Sequence, residues 1–472
     1  MLEKLLETYT PDLGGALWLG LLVAFLLFGD FRRLLAGRNL ALLGLLASAP
    51  LLNDIGRWPV EQHPTVAPLW WTGIFLITLG HTIWGIVLAR GEQRAPWVPN
   101  VPRSGLQVLV ALLLVMNTME TLGRRPEDAG LFVSLGAQRW LETGTIPYAD
   151  PQLIGANSPA FGAASTYGPI LYLSHFPTQM LSGGRQNPAD AVVRDPAYRK
   201  PSNVGTRIIT LLFHFGGLIG LFLVVRQLAG EQAALGAVAL YASMPYLAGL
   251  DAGNGSIAGV RFISHIAPAA LLLLALAASA RPFLSGLLFA SAAGALFYPV
   301  FMFPAWVAWR LHRKAQPLRF VAGVATGAVV LTLIIVTSSP GYSPIGAVKQ
   351  FLAAVIEHQE GVGPRQYGAS TFGFWGTHPG LASFWHHPLV GSSPFLHPMF
   401  LVFMLLCIGA CFWVRRGGLT SLAAATALVG AGVQLWKTHG GGTYIEWYLP
   451  FLILALVAGS ESFRLWSRPP QT

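Results

Sequence analysis

The chain has 472 residues, of which 53% are hydrophobic and only 11% charged, and its mean hydropathy is +0.55. Soluble domains carry about 25% charged residues, so a soluble globule of this size would lack the polar surface it needs. The net charge is +10, but no Lys/Arg block interleaved with aromatics accompanies it, which argues against a nucleic-acid groove. In so apolar a chain an excess of Arg and Lys reports topology first.

Apolar runs recur from end to end, at roughly 13–29, 38–52, 67–89, 104–119, 205–225, 232–248, 262–280, 283–310, 318–337, 396–414, 419–436 and 445–462. Most approach the length that crosses about 30 Å of hydrocarbon, and they predict an all-α, polytopic transmembrane protein of about 11–13 spans. The start, "MLEKLLETYTPD", is acidic and has neither a basic n-region nor a small-residue cleavage site, so no cleaved signal peptide is expected. Cys407 and Cys411 lie four apart inside an apolar run and read as packing residues.

The basic segments "DFRRLLAGR", "ARGEQR", Arg281, "RLHRKAQPLR", "VRRGG" and the tail with Arg464 and Arg468 all read as cytoplasmic. An external N-terminus satisfies every one of them on a single condition, that 283–310 crosses twice. Its 28 residues reach only ~42 Å as a helix, short of two full spans. A pair of short helices broken near "FYPVFMFP" is therefore expected, in preference to one span with the parity reversed. The segment 121–203, the loop "GLDAGNGSIAGVR", the segment 338–395 and "KTHGGGTYIE" then fall together on the outer face. Loops of roughly 80 and 58 residues are too long to be idle connectors. Residues 1–100 form an extra N-terminal transmembrane unit, and 101–472 the core.

The outer loops hold the chemistry. In "PEDAGLFVSLGAQRWLETGTIPYAD", Pro126 opens a stretch with rough helical spacing, lying on or in the interface. Asp128 then sits at a helix N-terminus, whose dipole favours the ionised carboxylate. Gly144 stops the helix and Pro147-Tyr148 sets an extended exit. Read alone, Glu127 and Asp128 fit solvated helix-end charges equally well.

Asp128, Phe132, Ala137, Gly144 and Pro147-Tyr148, followed by "STYGPILYLSHFP" with Tyr167, resemble the first external loop of GT-C glycosyltransferases. More narrowly the stretch is similar to the branch that uses polyprenyl-phosphate sugars, including bacterial polyprenyl-phosphate-mannose α-mannosyltransferases. The resemblance implies a GT-C-like core with interfacial helices in its external loops. It implies an inverting transfer of a hexose, mannose first, from a polyprenyl-phosphate sugar donor to a lipid or glycan acceptor, at the outer face of a bacterial cytoplasmic membrane. Asp128 matches the general base, with Glu127 as its fallback. One carboxylate suffices, because a phosphate leaving group needs no acid to protonate it.

The leaving phosphate needs positive charge. Arg261 and His265, four apart, and Lys437 and His439 are the candidates, although Arg261 also fits a snorkelling interface residue. "WKTHGGGTYIEWYLPFL" resembles the family's last external loop, and its three glycines permit close backbone approach or form a flexible turn. Tyr148, Tyr167, Asn254 and Tyr444 are the expected substrate contacts, and the donor tail is expected between spans beside 283–310. Glu357, His358, Glu360, His378, His386, His387 and His397 show no zinc spacing and read as lining an acceptor groove; no metal and no other cofactor is expected. Trp375, Trp385 and Tyr367 suit either sugar stacking or the membrane belt. His81 and His214 read as hydrogen-bonded core residues. In the family the catalytic loop follows the first span, whereas here three apolar runs come earlier. The rival readings are a transporter or lipid flippase, which would show paired interruptions in two related halves, and a non-catalytic assembly subunit.

Overall fold

The computed structural model describes residues 13–57, 67–90, 94–123, 129–154, 165–181, 204–247, 250–252, 255–260, 262–359, 396–415, 417–436 and 442–459. Helix dominates them; two short strands, Leu250–Ala252 and Gly255–Ala258, pair antiparallel. Five helices among the described residues are long and apolar enough to cross a membrane: Leu69–Ala89, Arg103–Gly123, Val204–Ala229, Pro317–Thr337 and Leu419–Trp436. The other apolar helical stretches found among the described residues run 10–17 residues, and turns interrupt some of the apolar runs. The run 38–52, for example, becomes Gly37–Leu46 and Ser48–Arg57 with a turn at Ala47 between them.

The outward faces are as apolar as the interior. Leu401, Leu405, Ile408 and Phe412 are exposed at the spacing of one helical stripe, and Ile208, Leu212, Ile219 and Leu223 form another. Water would penalise such faces and lipid would solvate them. With the five long helices, they suggest a membrane protein.

Helix Leu419–Trp436 is buried along its whole length, which suits a sequence that is apolar all round. It packs against Ala67–Ala89, Leu396–Trp413 and Leu449–Ala458. Residues before 101 share this interior. His81 bonds the Tyr448 hydroxyl at 3.0 Å and the Gly44 carbonyl at 2.8 Å, and Tyr246 donates to the Leu45 carbonyl at 3.0 Å. His214 Nε2 accepts from Asn117 Nδ2 at 3.2 Å.

The run 283–310 is broken in two, as its length required. Helix Pro282–Ala295 ends at extended Leu296, a 3-10 turn covers Tyr298–Met302, and Phe303–His312 returns. Arg310, near the end of the return, donates to the Ser279 carbonyl and to Ser285 Oγ, beside the start of the outgoing helix. Both ends of the hairpin therefore lie at the same end of the bundle. The next helix, Pro317–Thr337, runs parallel to the outgoing one: Gly323 faces Phe283, Gly327 faces Ala290, and Leu331 faces Gly294.

That end is the basic one. Arg313 Nε donates to the Gly417 carbonyl and Trp309 Nε1 to Gly418, joining "RLHRK" to "RRGG". Arg90 lies over the Trp413 ring, Asn100 bonds the Gly29 carbonyl, and Trp97 N–H bonds Val457. Among the described residues, the basic segments assigned to one side by charge are thus neighbours.

Candidate functional site

The end opposite the arginines gathers the described parts of all four loops expected on the outer face. The first loop begins with helix Ala129–Thr143, followed by Gly144 in the left-handed region at φ +68°. Glycine suits that position, where a side chain would crowd the following carbonyl. Ile146 is extended, as the residue before a proline should be, but Pro147–Ala149 then forms a 3-10 turn where an extended exit was expected.

This helix does not simply lie on an interface. Ala129, Gly130, Trp140 and all of Val133–Gln138 are buried, chiefly because helix Pro169–Leu181 covers them. Trp140 meets the edge of Phe176 at 5.0 Å, and Gln179 Nε2 donates to Ser134 Oγ at 2.6 Å. Arg139 and Asp150 form a buried pair at 3.0 Å that ties the helix end to the turn.

Tyr148 and Tyr167, expected among the substrate contacts, are buried and tied to each other. The Tyr148 hydroxyl donates to the Tyr167 carbonyl at 2.7 Å, and the Tyr167 N–H donates to the Tyr172 hydroxyl at 3.0 Å. The Tyr148 ring meets Phe351 at 5.1 Å, linking the first loop to helix Pro344–Gln359. Burial, with Tyr172 beside it, pushes the Tyr148 phenol well above its ordinary pKa. The structure gives Tyr148 the role of a tether.

Two backbone bonds seat this loop on the bundle. Ile146 N–H donates to Ser338, at the end of helix Pro317–Thr337, and Gly168 N–H donates to Ala295 at the tip of the broken hairpin. A Cβ on Gly168 would run into the Gly294 carbonyl oxygen.

His265 and Tyr444 come together at this end. His265 is in the first turn of helix Ile263–Ala277, and Tyr444 directly precedes the 3-10 turn Ile445–Trp447. Their rings are 4.6 Å apart, inside a continuous run of stacked and tilted rings. Phe262 stacks on His265 at 5.0 Å, Tyr444 on Trp447 at 4.5 Å, and Trp447 on Tyr298 at 4.2 Å. Trp447 Nε1 donates to the Ser264 carbonyl.

Glu446, which sequence reasoning passed over, lies at the centre. Its side chain is wholly buried; Oε1 accepts from Gly259 N–H at 3.0 Å, and Oε2 stands 3.4 Å from His265 Nδ1. A signal existed: it is an acidic residue at the mouth of an apolar run, a costly position usually kept for function. Arg207 was missed too; its guanidinium donates to the Leu122 carbonyl at the end of helix Arg103–Gly123.

Glu127, Asp128, Asn254, Arg261, Lys437 and His439 lie outside the described residues, as do Glu360, Tyr367, Trp375, His378, Trp385, His386 and His387. Glu357, His358 and His397 are on described helices, but their side chains lie outside the description. No protein-family model, no curated protein and no solved structure matches the chain.

Proposed function

We propose that this chain is an integral membrane, inverting glycosyltransferase that moves a hexose, mannose first, from a polyprenyl-phosphate donor to a lipid or glycan acceptor at the outer face. One observation carries the reading. The loop whose motif resembles the GT-C catalytic loop, the hairpin before His265, and the turn after Gly442 converge at the end away from the bundle's basic segments. Helix Ala129–Thr143, which Asp128 precedes in sequence, packs against helix Ile263–Ala277, which carries His265.

In this reading Asp128 takes the acceptor hydroxyl proton as that oxygen attacks the anomeric carbon from the face opposite the phosphate. The carbon–oxygen bond to phosphate breaks, and polyprenyl phosphate leaves with the electron pair. His265, with Arg261, Lys437 and His439, offsets the charge growing on it, aided by the N-terminal dipole of helix Ile263–Ala277. No acid is needed at the leaving oxygen.

The test incubates purified protein with radiolabelled polyprenyl-phosphate sugars and membrane lipid extract. Transfer by the native chain, lowered about 10²- to 10⁴-fold in Asp128→Asn, is the expected result. Equal transfer by a folded Asp128→Asn variant would remove Asp128 as the base, and transfer from no donor would remove the enzyme reading.

A further inference from the structure

The pair formed by His265 and Glu446 is unusual for a buried carboxylate. Glu446 is fully buried, yet it receives one backbone N–H, and among the described residues its Oε2 and the facing His265 Nδ1 both stand without a hydrogen-bond partner. They are 3.4 Å apart, close enough to attract but out of line for a bond. A half-satisfied buried charge is poor for stability, and chains keep such groups where they serve a site. Loose apo contacts of this kind tighten when a ligand completes them.

The ring chemistry says what completes this one. Imidazole has two nitrogens, and only the doubly protonated ring donates from both. With the Glu446 carboxylate 3.4 Å from Nδ1, only the doubly protonated ring could donate both to it and to a second acceptor at Nε2. Aromatic neighbours fix the ring plane on two sides: Phe262 stacks at 26° and Tyr444 tilts at 56°. The ring cannot turn freely away from Glu446.

We infer that Glu446 is the positioning residue for His265, holding the imidazolium by Nδ1 so that Nε2 donates to the phosphate of a polyprenyl-phosphate ligand. The inference rests on the proposed function, since it names the group that organises the donor phosphate site. Glu446 itself does not touch the ligand. Its anchor to Gly259 N–H also fixes the end of the hairpin Leu250–Ala258 against the last external turn.

The test measures binding of undecaprenyl phosphate and of uncharged undecaprenol to the full chain in lipid nanodiscs. The readout is the ratio of the two affinities, which isolates the phosphate contribution; a purely structural role would weaken both lipids alike and leave the ratio unmoved. The native chain should prefer the phosphate. Glu446→Gln and His265→Gln should each cut that preference about tenfold, the loss of one charge-assisted hydrogen bond. The double variant should lose little more than either single one, and Glu446→Asp should recover part of the preference. Should Glu446→Gln fail to fold by size exclusion and melting, Glu446→Asp and His265→Gln decide by the same ratio. A native preference that survives Glu446→Gln overturns the inference and leaves the donor reading standing. Additive losses in the double variant overturn the coupling and with it the inference. No preference in the native chain overturns the donor-phosphate reading and this inference together.

Discussion

Tyr148→Phe removes one oxygen and leaves the ring, so it separates tethering from packing. The Phe351 and Tyr172 ring contacts at 5.1 and 5.9 Å need no hydroxyl and should persist. What goes is the 2.7 Å bond that the Tyr148 hydroxyl donates to the buried Tyr167 carbonyl. That costs ~1–3 kcal/mol, or about 5- to 150-fold in the local opening equilibrium. Hydrogen exchange of the Ser165–Tyr172 amides reads this directly, because the Tyr167 N–H is itself held by Tyr172. Faster exchange confined to this stretch is the expected result. Unchanged exchange with reduced transfer would refute the tether and return Tyr148 to the role of substrate contact.

The same phenol predicts an alkaline effect. Its folded pKa is raised by burial, so its stabilising contribution is complete below the unfolded value of about 10 and declines as pH rises above it. Exchange of Ser165–Tyr172 in the native chain should be level to about pH 9 after correction for the intrinsic rate, then accelerate. Tyr148→Phe should show less of that acceleration.

Gly168→Ala should be harsher than its one methyl implies. The new Cβ meets backbone, the Gly294 carbonyl oxygen, which has no rotamer to yield, so a loss of ~1–3 kcal/mol in a thermal melt is expected. Gly144→Ala is the control: nothing lies within 4 Å of its Cβ, so only the φ of +68° is strained and the loss should be nearer 1 kcal/mol. Equal losses would show that the contact at Gly168 is not close. Arg310→Met strips the donors from the Ser279 and Ala315 carbonyls and Ser285 Oγ, and should cost roughly 3 kcal/mol in denaturant unfolding. Arg310→Lys should restore little, because a single ammonium cannot reach acceptors that the guanidinium fork spans.

Much of this fold was legible because hydrophobic runs and basic residues act locally. Leu69–Ala89 and Leu419–Trp436 fall on their apolar runs almost to the residue, and the grouping of "RLHRK" with "RRGG" follows from charge alone. The stop at Gly144 was legible for a similar reason, since the φ it adopts belongs to the residue type. Burial of the Asp128-led helix was not. Its pattern fits an interfacial helix, and the cover comes from later segments, chiefly Pro169–Leu181 with Pro177 inside it. The strand pair 250–258 escaped notice because three or four residues with Gly and Asn leave no periodic signal. Glu446 was hidden differently: its partners Gly259 and His265 are some 180 residues away in sequence, and no local pattern joins them.

The broken hairpin shows how a chain too short to cross twice still places both ends together. Its tip, Leu296–Met302, leaves α-helical geometry, which in lipid would be tolerated only where protein covers the freed groups. The cover comes from two loops of the opposite end. Gly168 N–H caps the Ala295 carbonyl, and Trp447 lies flat on Tyr298 at 11° between planes. One of those loops begins beside Asp128, and the other carries Glu446. The tip, the loop behind the motif and the His265 turn are therefore one packed unit, and a disturbance at any of them reaches the others through backbone and ring contacts. On that ground Gly168→Ala should lower transfer as well as stability, and should do so even under conditions where the protein remains folded. A variant that melts early yet transfers at the native rate below its melting point would show the tip to be scaffolding alone.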